Sequence, residues 1–210
     1  MPTLEQARAW YPARDPIHGF DHVERVYRTA ERLALEEGAD LEIVRAAALL
    51  HDVQGAEPEG EHRADHHEQS ARIAAEVLAA EGWPPDRIAA VQECIRAHRF
   101  RVGVENPSLE ARILFDADKL DVLGAVGVAR TIAYAVLAGQ PHYHPPSERF
   151  LTTGEKEPGE PHSAYHEYLF KLRKVKDRLF TASARRIAER RHADLVAYFE
   201  ALAAEMEGRQ

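Results

Sequence analysis

The chain has 210 residues, 45% hydrophobic and 30% charged, which suits one domain with a substantial core. Its 27 basic and 35 acidic residues leave a formal net charge of −8, a poor balance for sequence-independent DNA binding, which draws on clustered lysine and arginine. The single cysteine, Cys94, excludes an intrachain disulfide and any Cys-rich zinc module, and no apolar run approaches the ~18–20 residues of a membrane span.

The opening MPTLEQARAWYP has no secretory apolar core, so a soluble cytoplasmic protein with no nucleic-acid or membrane partner is expected. From 21 to 37, apolar residues at 23, 26, 27, 30, 33 and 34 recur at helical steps, with Gly38 as the stop. Residues 40–53, DLEIVRAAALLHDV, predict a buried helix capped by Asp40. A polar loop at 54–62 precedes a helix over about 64–81, and another covers about 86–100. After a Gly/Asn/Pro break at 103–107, a helix starting near Ser108 carries LEARILFDADKLDVLG, and the next runs over about 125–138. Residues 139–162 hold five prolines and three glycines and predict a long loop with the character of a lid. Helices over about 163–180 and 182–206 close the chain, their aromatics Tyr165, Tyr168, Phe170, Phe180, Tyr198 and Phe199 serving as packing. No strand run or repeat emerges, so the fold class is all-α.

Twelve histidines need an explanation. His51 and Asp52 end the apolar stretch AAALLHD, where a carboxylate is costly unless it is paired, binds a metal, or turns out to solvent as the helix ends. His22 opens the DHVERV helix, with His18 four residues before it. Asp116, Asp118 and Asp121 crowd LFDADKLDVLG and repel one another unless cations are near. For Asp116 a helix N-terminal cap, and for Asp121 a salt bridge, is the simpler expectation. His22, His51, Asp52 and Asp118 together offer two imidazoles and two carboxylates, a donor set for manganese, magnesium, cobalt, iron or zinc with positions left open for water and substrate.

The order H…HD…D, embedded in HVERV at 22–26, AALLHDV at 47–53 and DADKLD at 116–121, resembles the HD-domain metal-dependent phosphohydrolase superfamily, in particular its small bacterial hydrolases. HHEQSARIAAEVL at 66–78, IRAH at 95–98 and the tail KLRKVKDRLFTASARRIAERRH at 171–192 extend the resemblance over essentially the whole chain. The resemblance implies a helical bundle forming one HD-type domain over residues 1–210, with a metal-site core at about 18–130 and helices at about 163–206 packing on it. It also singles out Asp118, the middle aspartate of DADKLD, as the fourth ligand. Relatives often carry an aspartate after the histidine matching His18, where this chain has Gly19.

By the same resemblance His67 and His98 bind a second metal or position phosphate, with an acid or surface role as the plainer alternative. Asp52 and His67 are the candidate catalytic residues; His18, Arg25, His98 and Lys119 are the candidate substrate contacts, although Arg25 has surface partners within reach in Glu24 and Glu61. His62 and His66, four apart, read as solvated surface histidines. His142 and His144 in HYHPP look like a metal pair but sit in the Pro-rich loop, so His144→Ala is expected to change metal content little. His166 matches a histidine of the relatives' tail, which implies approach to the pocket. The implied function is hydrolysis of a phosphate ester or phosphoanhydride, of a nucleotide by resemblance, with a divalent ion activating water. A non-catalytic metal-dependent nucleotide sensor and a di-iron oxygenase are the rival readings, and homo-oligomerisation is left open.

Overall fold

Residues 41–50, LEIVRAAALL, carry so little polar surface that a helix formed by them must be enclosed by others. A computed structural model describes residues 1–11, 19–53, 66–98 and 107–209, and in it this stretch is such a helix, with Val44 and every residue from Ala46 to Leu50 buried. The fold is all-α: no strand occurs among the described residues. In chain order the helices are α1 (Leu4–Arg8), α2 (Phe20–Glu37), α3 (Leu41–Leu50), α4 (His66–Ala80), α5 (Pro85–Ala97), α6 (Leu109–Leu120), α7 (Gly124–Leu137), α8 (Glu148–Thr153), α9 (Ala164–Phe170) and α10 (Ala182–Met206), with a 3-10 helix at Leu172–Arg178. No single helix among them is long and apolar enough to cross a membrane.

The chain forms two compact units. The first comprises residues 1–118 and 180–184, and α3 packs there against α1, α2, α4 and α5. The predicted cap holds: the Asp40 carboxylate accepts from the Glu42 and Ile43 amides and is gripped by both terminal nitrogens of Arg87, at 2.9 and 3.1 Å. Gly38 ends α2 with a left-handed φ of 75°, as its position in the sequence predicts. Burial of large side chains such as Leu49, Leu50, Leu78 and Ile95 supplies the driving force, roughly 1.5–3 kcal/mol each.

Asp116 departs from the expectation of a helix N-terminal cap. It lies well inside α6, fully buried, and accepts hydrogen bonds from the amides of Phe180 (2.9 Å) and Thr181 (2.8 Å) and from the Thr181 hydroxyl (2.7 Å). The carboxylate thus ties the residues that open α10 to a helix more than sixty residues earlier.

The second unit comprises residues 119–179 and 185–210. Asp121 makes the expected salt bridge, to Arg130 at 2.6 Å. Two glycines shape the turn into α7. Gly124 has a φ of 70°, and a methyl on Gly127 would lie 2.2 Å from the Val122 carbonyl oxygen, so only glycine fits there. Tyr168 stacks on Phe199 with ring centroids 4.7 Å apart, and α7 packs on α9. Of the six aromatics assigned to packing, Tyr168 and Phe199 are buried, whereas Phe170 and Tyr198 of this unit, and Phe180 of the first, are exposed. The predicted loop at 139–162 contains α8, and the predicted helix at 163–180 is broken into α9 and the 3-10 helix.

Candidate metal centre

His51 follows the last residue of α3, and His98 follows the last residue of α5. Helix ends leave carbonyls without intrahelical partners. Each histidine turns that deficit to use, donating from Nδ1–H to the carbonyl three residues back: His51 to Ala48 at 2.9 Å, and His98 to Ile95. The carbonyl can only accept, so Nδ1 is a protonated nitrogen in both rings, and in the neutral ring Nε2 is the lone pair.

Those Nε2 atoms meet at Asp52. His51 Nε2 is 3.6 Å from Asp52 Oδ2, and His98 Nε2 is 3.6 Å from Oδ1. His22, near the start of α2, brings its Nε2 to 3.9 Å from Asp52 Oδ2 and 3.5 Å from Oδ1 of Asp118, late in α6. His22, His51, Asp52 and His98 are buried, and the His51 ring lies edge-on to both other imidazoles, with centroids 5.5 and 5.4 Å away.

The donor set fits a divalent cation. Gaps of 3.5–3.9 Å exceed the hydrogen-bond range and suit two bonds of about 2.0–2.2 Å to a shared ion. His51 Nε2 is buried without any hydrogen-bond partner, a state that costs free energy unless something else occupies the lone pair. Donor atoms of His22, His51 and Asp52 all lie within 4.8 Å of one another. Burial pushes the His51 ring down to about 4 against the pull of Asp52, so it is neutral near pH 7. Burial alone would raise the Asp52 carboxyl, but His51, His98 and His22 outweigh it and hold the group well below the usual carboxylate range. A neutral His51 beside an ionised Asp52 is the pair of protonation states that metal binding requires.

An acid sensitivity follows for the metal-free protein. The unfolded His51 takes up its proton near 6.5, whereas the folded ring resists until about 4, and burial lowers His166 and His192 in the same direction. Between those values the unfolded state binds more protons, so stability is expected to fall as pH drops from 6.5 to 4. Urea midpoints of chelator-treated protein across that range test this; a flat profile would contradict the protonation states above.

His67 is buried in the first turn of α4, its Nε2 4.0 Å from Glu68 Oε1. Arg25 donates to Asp21 at 2.6 Å, one turn back on α2, a partner other than the Glu24 and Glu61 considered from the sequence. Lys119 is half-buried beside Asp118 on α6. His18 and His62 lie outside the described residues, as does the side chain of His66. Cys94 is buried in the core, its thiol pushed far up by burial, which suits packing rather than nucleophilic chemistry.

Sequence reasoning passes over Tyr11. Its hydroxyl donates to the Leu49 carbonyl at 2.8 Å, and burial, then the charge of Asp52, raises its pKa well above 10. Tyr11, next to Trp10 in AWYP, carries no periodic signal that would pair it with residues some forty positions later.

Comparison with known proteins gives a consistent picture. The HD domain family matches residues 19–123. The uncharacterized protein YpgQ of Bacillus subtilis is 29% identical over 213 residues, covering 99% of this chain and 96% of YpgQ. The crystal structure of YpgQ in complex with ADP superposes with a TM-score of 0.74, at 28% identity over 96% of this chain and 94% of that one. A Lactobacillus plantarum protein of known structure is 31% identical, with a TM-score of 0.76 over 99% of this chain and 100% of its own. An HD-superfamily hydrolase from Bacillus thuringiensis gives a TM-score of 0.70 at 26% identity, over 97% and 96% of the two chains.

Proposed function

For a chain that belongs to the HD domain family, as this one does, we propose a divalent-metal-dependent phosphohydrolase that cleaves a phosphate ester or phosphoanhydride of a nucleotide. The observation that carries this reading is the buried, unpartnered Nε2 of His51 facing Asp52 inside a ring of further donors. His22, His51, Asp52 and Asp118 would hold the ion. When bound, a divalent cation supplies Lewis acidity toward a phosphoryl oxygen and lowers the pKa of water at the site. The ADP bound to YpgQ supports a nucleotide substrate. We read residues 1–210 as one HD-type domain, of which the family match covers 19–123.

The chain's own residues do the rest. Asp52, held well below the usual carboxylate range, would be ionised near pH 7, so one carboxylate oxygen could orient a water and help manage its proton. His67, at the head of α4, is the second candidate for proton transfer, to the leaving oxygen. His98, its ring oriented by the Ile95 carbonyl, is a further substrate contact, and His18, Arg25 and Lys119 would offset negative charge on the phosphate. The test is turnover by chelator-treated protein reloaded with manganese, magnesium, cobalt, iron or zinc, against nucleoside mono-, di- and triphosphates and simple phosphomonoesters. Release of phosphate or pyrophosphate with at least one ion is expected. Tight nucleotide binding without turnover at every ion would replace this reading with a sensor, and iron-dependent oxygen consumption would replace it with an oxygenase.

A further inference from the structure

The connection from α7 to α9 is long, Pro-rich and contains only the short helix α8, so something other than its own apolar core must hold it. Its hub is Glu160. The carboxylate accepts from the Ser147 amide (2.8 Å) and hydroxyl (2.7 Å) and from the Glu157 amide (2.6 Å), which pins the start of α8 to the residues after it. His166, in the first turn of α9 and fully buried, brings Nε2 to 2.9 Å from Glu160 Oε1. His144 completes the group: a ring nitrogen from each histidine and a Glu160 oxygen all lie within 4.8 Å of one another. The two imidazole centroids are 6.0 Å apart.

From this juxtaposition we infer that His144, Glu160 and His166 form a second binding site for a divalent transition-metal ion, of the zinc or cobalt class, that clips the 139–163 segment in place. Two imidazoles and one carboxylate are a borderline donor set, and one water completes four-coordination. Both rings are already oriented. His144 donates from Nδ1 to the Pro145 carbonyl at 2.8 Å, which leaves its Nε2 as the lone pair. His166 Nδ1 is 2.7 Å from the Ser163 hydroxyl, a group able to donate or to accept, so the ring can hand its Nε2 to an ion without losing that contact. Burial favours the neutral form of His166, and the hydrogen bonds to Glu160 favour its charged form. Sequence reading sets HYHPP aside and expects His144→Ala to change metal content little; the folded position of His144 beside Glu160 and His166 reverses that expectation. The structure sets His144 apart from His142, which is exposed. None of the three residues belongs to the donor set described above, so the inference stands without the hydrolase reading.

The test counts bound metal in the full-length chain. Chelator-treated protein is dialysed against a small excess of zinc, and the zinc bound per chain is measured for the unsubstituted protein, His144→Ala, Glu160→Gln and His142→Ala. His144→Ala and Glu160→Gln are each expected to lose one equivalent, and His142→Ala none. A second measurement uses cobalt absorption in an Asp52→Ala chain, where a visible ligand-field band is expected that disappears when His144→Ala is added. Circular dichroism identifies any variant that fails to fold, and the count then rests on the other. Equal zinc stoichiometry in folded His144→Ala and unsubstituted protein, or no cobalt band in the Asp52→Ala chain, would overturn the inference.

Discussion

Replacing Asp52 with alanine is expected to abolish metal binding at the centre and to lower turnover by at least about a thousandfold, while the helical circular-dichroism spectrum persists. Asp52 is the residue on which the other donors converge: His51 and His22 approach one oxygen at 3.6 and 3.9 Å, and His98 the other at 3.6 Å. Without it, three imidazoles crowd a buried space with Asp118, beside His22, as the carboxylate left among the described donors to draw a cation in. The substitution removes no large apolar contact, and α3 ends before it, so the fold should tolerate the change. Metal analysis of the purified variant beside its steady-state rate gives the answer. A variant with full metal content and rate would sink the assignment of the centre.

Asp116→Ala should act through stability instead. The carboxylate is buried, and three donors of the 180–181 segment point at it. Alanine leaves the Thr181 amide buried and unsatisfied and sets the start of α10 loose, at a cost of about 3–5 kcal/mol for the donors taken together. Urea unfolding of the variant is expected to show a lower midpoint of that size, with Asp116→Asn intermediate because one acceptor oxygen remains. A midpoint within about 0.5 kcal/mol of the unsubstituted protein would show that the three hydrogen bonds do not hold the segment.

Much of this is legible in the sequence. Helical period and flanking caps mark α2 through α7 and α10 to within a few residues, because each buries an apolar face whose spacing repeats along the chain. The HD dipeptide is visible for a related reason: a carboxylate at the end of AAALLHD conflicts with its surroundings unless it has a partner. What escaped was non-local or too short to repeat. α1 and α8 span 5 and 6 residues, less than two turns. The anchoring of Thr181 by Asp116 joins positions 65 apart, and a single acceptor leaves no periodic trace. Glu160 reads as one acid among several in EKEPGEPH, and only the folded segment turns it toward Ser147 and His166.

The backward reach of His51 and His98 to the carbonyls of their own last helical turns has a thermodynamic corollary. Both rings lose their rotational freedom when α3 and α5 form, so that entropy is already spent before a cation arrives. For His51, which would hold the ion, binding is therefore expected to cost little further side-chain freedom.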